Sequence, residues 1–157
     1  MKRPPIIVSA CLLGRRCRYN GEDRAHAGVR RFLKGKNYVA VCPEKLAGWG
    51  VPRPPVELKG GGAEKVMEGR ARIVTHEGTD LTASLIRAVR KLVDRATSLR
   101  SEEAILKEKS PSCGVTKVYR DGRLVEGKGL FTHRLKDRGI QVRSEESFGE
   151  RRAAKKR

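Results

Sequence analysis

Three short apolar runs, each with a cysteine at or just beyond its C-terminal end, constrain this chain more than any other feature. They are Pro5-Ile6-Ile7-Val8-Ser9-Ala10 before Cys11, Tyr38-Val39-Ala40-Val41 before Cys42, and Glu103-Ala104-Ile105-Leu106 upstream of Cys113. Runs this short, rich in β-branched residues, read as buried strands. In an open parallel sheet the C-terminal strand ends share one edge, and ligands bind there. The pattern therefore gathers thiols from distant positions into one place.

The segments between these runs supply the other layers. Leu85, Ile86, Val89, Leu92, Val93, Ala96 and Leu99 recur at helical spacing, which predicts a helix over 81–99 with Thr79 or Asp80 as its cap. Shorter helices are predicted at 24–34, ended by Gly35, and at 129–138, ended by Gly139. Residues 115–119 and 124–125 flank Asp121-Gly122 and read as a hairpin, with further strands near 71–75, 103–107 and 140–143. The Gly- and Pro-rich stretch 46–62 reads as a partly extended, rigid loop with a mobile tip, too long for an idle connection. Strands alternating with helices predict an α/β fold. The expected architecture is a single compact domain with a mostly parallel sheet flanked by helices, Rossmann-like and three-layered, plus a small hairpin near residues 115–126. That domain is expected to span 1–150, followed by a frayed basic tail at 151–157.

Charge bears on partners. Lys and Arg number 36 against 18 Asp and Glu, a net +18. A field of that sign attracts polyanions, and nucleic acid is one partner it suits. Aromatic residues make up only 4%, so stacking platforms for single strands are scarce. No secretory leader precedes the first strand and no apolar stretch reaches membrane-spanning length, so the cytoplasm is the expected compartment. Disulfides are rare there, which directs the cysteines toward metal binding or catalysis.

Cysteine spacing excludes several local motifs. No Cys-x-x-Cys knuckle of structural zinc occurs, and no ferredoxin-type run. A site assembled from strand ends requires no local spacing. An iron–sulfur cluster on three cysteines, redox thiols, a catalytic nucleophile and plain buried cysteines all remain open on spacing alone.

The residues around the cysteines narrow this. Val8-Ser9-Ala10-Cys11-Leu12-Leu13-Gly14, Cys17-Arg18-Tyr19-Asn20-Gly21, Val41-Cys42-Pro43-Glu44, Arg53-Pro54-Pro55-Val56-Glu57, Gly78-Thr79-Asp80-Leu81-Thr82 and Leu106-Lys107-Glu108-Lys109-Ser110-Pro111-Ser112-Cys113-Gly114 occur in that order. Together they resemble the DUF523 family, which includes a thiouracil desulfurase, and the resemblance runs from about residue 6 to the segment 140–145. It implies a [4Fe-4S] cluster held by Cys11, Cys42 and Cys113, with Cys17 a spare thiol. It also implies non-redox removal of sulfur, by hydrolase- or lyase-like C=S cleavage, from thiouracil or 4-thiouridine, the latter as a free compound or in tRNA. In that setting Glu44 is placed to activate water and Ser110 to hydrogen-bond the substrate or shuttle a proton. The chain departs from the family pattern at Asn20 and at Ala47-Gly48-Trp49, positions that bear on pocket shape rather than on the thiols.

Other residues have simpler readings. Asp80 caps a helix, Arg53 faces solvent or an anion, and His26, His76 and His133 show no ligand spacing to one another. The competing functions are a basic RNA-binding protein and a thiol redox or sulfur-carrier protein, neither with a catalytic cluster. In the last of these Cys17 would be essential and iron would not.

Overall fold

The computed structural model describes residues 3–16, 20 and 24–149. Cys17, the Gly21 half of the Asn20-Gly21 turn and the 151–157 tail lie outside the described residues. The α/β class follows the sequence reading, but the strands divide between two four-stranded sheets.

The first sheet is fully parallel, in the order β2-β1-β5-β8, from Tyr38–Val41, Ile6–Ser9, Glu103–Leu106 and Gln141–Ser144. Its two central strands are covered on both faces, which is why they read as unbroken apolar runs rather than alternating ones. Ile7, Ala104 and Leu106 face one core cluster, while Ile6, Val8 and Ile105 face the other. Helix α1 (Ala27–Leu33) covers the second face with Val29 and Leu33, and Phe148 packs edge-on to Phe32 there.

The second sheet is mixed, in the order β4-β3-β6-β7, from Arg72–Thr75, Val56–Lys59, Lys117–Arg120 and Arg123–Glu126. The strand Val56–Lys59 lies inside the Gly- and Pro-rich stretch expected to be loop. Its apolar signal is only Val56 and Leu58, too short a run to stand out, and pairing with β4 supplies the rest. The hairpin turn has positive φ at both central residues, Asp121 (51°) and Gly122 (82°), the mirror-image turn that matches strand twist. Leu58, Ile73 and Val118 turn inward from this sheet to the shared core.

Helix α4 (Thr82–Ser98) packs against β4 within the larger core cluster. It buries Leu85, Ala88, Val89, Val93 and Ala96 and exposes Arg87, Arg90, Lys91 and Asp94. The N-cap position is Leu81, not Thr79 or Asp80, but Asp80 one residue earlier still serves the helix start: its Oδ1 accepts the amide of Thr82 at 2.9 Å and its hydroxyl at 2.6 Å. Those hydrogen bonds, the hydroxyl's first, hold the Asp80 pKa below its ordinary value. Two helical turns escape the sequence reading, α2 (Pro43–Leu46) and α3 (Ala63–Met67), each too short to show a period. Helix α5 (Leu130–Asp137) precedes the last strand. No helix among the described residues is long and apolar enough to cross a membrane.

Candidate active site

Because the first sheet is parallel, the ends of β1, β2 and β5 fall on one edge. A cavity of about 560 Å³ opens there, lined by Cys11, Cys42, Glu44, Arg53, Ser110, Ser112 and Cys113 among others. Every residue singled out for chemistry on sequence grounds, other than the undescribed Cys17, therefore meets at this edge. Each thiol arrives on a different local structure.

Cys11 sits in a single 3-10 turn, Ala10–Leu13, that reverses the chain after β1 and ends at left-handed Gly14. Cys42 is the N-cap of α2, set by Pro43 at the first helical position, and its Sγ accepts the amide of Lys45 at 3.4 Å. Cys113 lies on the irregular loop between β5 and β6, called here the cysteine loop.

That loop is held from three directions. Inside it, Ser110 Oγ accepts the amides of Ser112 and Cys113, both at 3.0 Å. On one flank, the first-turn amides of α5, which lack a side-chain cap, are satisfied by the loop: Leu130 and Phe131 donate to the carbonyls of Pro111 (2.9 Å) and Ser112 (2.8 Å). Thr132 Oγ1 adds a bond to the Cys113 carbonyl at 3.1 Å. The approach is so close that a Cβ on Gly129 would lie 2.4 Å from the Ser112 carbonyl carbon and oxygen.

On the other flank stands Glu108, only 2% exposed. Its carboxylate accepts the amides of Val115 (2.8 Å), Thr116 (3.0 Å) and Lys117 (3.3 Å) and the hydroxyl of Thr116 (2.7 Å). Burial by itself pushes the Glu108 pKa up, but these hydrogen bonds outweigh it and hold the group below the usual range. The Glu108 amide in turn donates to Glu145, which pairs with Lys107 at 3.2 Å. Lys109, next in sequence, has φ +78°, a left-handed conformation that only a strongly determined loop imposes.

Glu44 reaches the same cavity from α2. Its Oε1 pairs with Arg53 Nη2 at 2.5 Å, and its Oε2 accepts the hydroxyls of Ser110 and Ser112, each at 3.0 Å. The two charged side chains are little exposed, 6% for Arg53 and 14% for Glu44. Arg53 also donates to the Gly50 carbonyl at 3.0 Å and lies over the Trp49 ring. The Gly- and Pro-rich stretch thus has a task, which is to carry Arg53 to the Glu44 carboxylate.

Burial pushes the Cys113 thiol up to about 12, with the charges of Cys42 and Glu44 adding to the rise and hydrogen bonds from Ser9 and Ser112 opposing it. A sulfur in that setting becomes a thiolate only when a cation sits on it. No group of three or more His, Cys, Asp and Glu among the described residues is arranged to hold a single metal ion. Three thiols lining one cavity are soft donors of the kind that hold iron–sulfur clusters.

Arg53, Ser112 and Glu108 are the residues whose roles sequence reasoning missed. Ser112 differs from Ser110 by nothing visible in the motif. Glu108 follows a buried strand immediately, where a carboxylate reads as the start of exposed loop. The histidines stay apart: His26 caps α1 through Nδ1, His76 is exposed at the cavity rim, and His133 lies on α5 beside Asp137.

The fold is an α/β domain whose parallel sheet edge gathers thiols beside an ion-paired carboxylate in one cavity. The sequence matches the family described as 2-thiouracil desulfurase over residues 6–147, and the chain belongs to that family. A relative from Bacillus subtilis (strain 168), bearing the description uncharacterized protein YbbK, is 38% identical over 148 residues, covering 92% of this chain and 98% of the relative. Among solved structures, the [4Fe-4S]-dependent thiouracil desulfidase TudS is similar, with a TM-score of 0.79 and 35% identity over 97% of each chain.

Proposed function

We propose that this protein removes sulfur from a thiolated pyrimidine, using a [4Fe-4S] cluster held by Cys11, Cys42 and Cys113. The observation that carries this reading is the meeting of those thiols with a clamped Glu44 in one cavity. The similarity to TudS supports the cofactor and the substrate class. When bound by three cysteines, such a cluster supplies an iron with an open position, a Lewis acid with affinity for the soft sulfur of a thiocarbonyl.

The protein's own residues supply the rest. Glu44, oriented by Arg53, takes a proton from water so that the oxygen adds to the thiocarbonyl carbon. The Ser110 hydroxyl, 3.0 Å from Glu44 Oε2, holds that carboxylate in place and relays a proton with it. Water contributes oxygen to the base and its two protons leave with sulfur as hydrogen sulfide, so no external electrons are needed. The reaction is a hydrolysis, and a cluster-bearing enzyme of this kind suits the reducing cytoplasm. Substrates are thiouracil and 4-thiouridine, and the net charge of +18 favours 4-thiouridine within tRNA among the larger ones.

The test is sulfide release by anaerobically reconstituted protein from thiouracil, 4-thiouridine and tRNA containing 4-thiouridine. Release from at least one substrate is expected, and its loss in Cys113→Ser together with iron. Loaded protein that releases no sulfide from any of them would sink the proposal.

A further inference from the structure

Two serine hydroxyls touch Glu44 Oε2 at the same distance, yet they are not equivalent. A hydroxyl has one hydrogen to give and two lone pairs to fill. Both lone pairs of Ser110 Oγ are taken, by the amides of Ser112 and Cys113. Ser110 can therefore only donate, either to Glu44 Oε2 at 3.0 Å or to Ser112 Oγ at 2.8 Å. Ser112 Oγ receives no backbone amide. Its single hydrogen faces two acceptors, Glu44 Oε2 at 3.0 Å and Cys113 Sγ at 3.8 Å, within reach for a large sulfur.

Two complete arrangements of these hydrogens follow, with every heavy atom in place. In the first, Ser110 donates to Ser112 and Ser112 donates to Glu44. In the second, Ser110 donates directly to Glu44 and Ser112 donates to the Cys113 sulfur. Glu44 keeps one hydroxyl donor either way, so the sulfur gains a hydrogen bond at no loss to the carboxylate. The residue is 1% exposed, so water does not compete for that hydrogen.

We propose that Ser112 is a positioning residue whose hydroxyl turns between the Glu44 carboxylate and the Cys113 sulfur, binding the general base and a cluster ligand into one hydrogen-bonded unit. The proposal rests on the reading of Cys113 as a cluster ligand. A charged ligand sulfur draws the hydrogen, and hydrogen bonds to such sulfurs raise a cluster's reduction potential because they stabilise the more negative state. Ser110, by contrast, holds the shape of the loop, and its loss removes the acceptor for two amides.

The test compares reconstituted wild type, Ser112→Ala, Ser112→Thr and Ser110→Ala by iron per chain, cluster reduction potential, and kcat and KM for thiouracil. Ser112→Ala is expected to keep its iron, to show a lower reduction potential, and to lose about tenfold to a hundredfold in kcat with KM within about threefold, the scale of one hydrogen bond to a charged group. Ser112→Thr, which keeps the hydroxyl, is expected to return the potential to the wild-type value. Ser110→Ala is expected to lose iron. A loaded Ser112→Ala protein with wild-type potential and kcat, or one that sheds iron as Ser110→Ala does, overturns the inference. Wild type that binds no iron would overturn it together with the proposed function, so the two failures are distinguishable.

Discussion

Replacing Glu108 with Gln isolates the contribution of a buried charge that never touches the cavity's thiols. The carboxylate accepts three consecutive amides, Val115 to Lys117, and the Thr116 hydroxyl. A hydrogen bond to a charged acceptor is worth about 1 kcal/mol more than one to a neutral acceptor, so three amides lose about 3 kcal/mol on neutralisation. Burying a neutral amide instead of a carboxylate returns part of this. The lowered pKa shows that the bonds outweigh burial, leaving Glu108→Gln destabilised by about 2 kcal/mol, or about 4–8 °C in Tm. The sign of the pH dependence follows from the same shift. The carboxyl binds its proton less readily folded than unfolded, so its stabilisation is complete above the unfolded pKa, about 4.3, and is lost as pH falls through the lower folded value. Protonated Glu108 resembles Gln, so wild type and variant converge in acid. Urea unfolding of both proteins, between about pH 7 and about pH 3, measures the difference, and other carboxylates cancel in it. A difference that stays constant across that range, or a variant as stable as wild type near neutrality, would refute the reasoning.

Arg53→Ala removes the partner of Glu44 Oε1 and leaves its carboxylate held by serines alone; kcat is expected to fall about tenfold to a hundredfold with iron content unchanged. Arg53→Lys restores the charge but not the fork that also reaches Gly50, so kinetic assay is expected to show partial recovery at most. Gly129→Ala puts a methyl 2.4 Å from the Ser112 carbonyl group, and thermal melting is expected to show a loss of about 1–3 kcal/mol from displacement of the cysteine loop.

The first sheet is legible in the sequence because its central strands are covered on both faces and therefore read as continuous apolar runs. Helix α4 is legible for the opposite reason, since one solvated face makes its period visible. The strand Val56–Lys59 is hidden because only two of its residues turn inward and its neighbours are Pro and Gly. Of the site, the gathering of the thiols at one edge is legible from the strand ends, whereas Glu44 and Ser110 stand out only through the resemblance to the family. Arg53 is different. Its contact with Glu44 depends on a loop whose path is set by Trp49, which packs in the core and donates Nε1–H to Ser84 at 2.9 Å. No local rule connects Arg53 to a carboxylate nine residues earlier. Glu108 passes unnoticed under a general rule, that a charge after a strand faces water. The rule fails because three consecutive amides of the returning chain donate to the carboxylate and provide its solvation.

The cysteine loop and the α2 turn place their thiols by opposite logic. The loop's amides and carbonyls are satisfied by Ser110, Glu108 and the start of α5, so its path is fixed without help from the Cys113 sulfur. At α2 the sulfur is itself part of the backbone's hydrogen bonding, because Cys42 Sγ accepts the Lys45 amide that a Ser or Asp would accept in another helix cap. If Cys42 binds iron as proposed, the charge on its sulfur would strengthen that bond, so that occupation of the site and completion of the α2 turn would reinforce each other. Glu44 is the second residue of that turn, and its carboxylate reaches the cavity only while the turn is intact. On the proposed function, the general base is positioned by the same short element whose cap is a cluster ligand, which would link the formation of the base's geometry to the loading of the site.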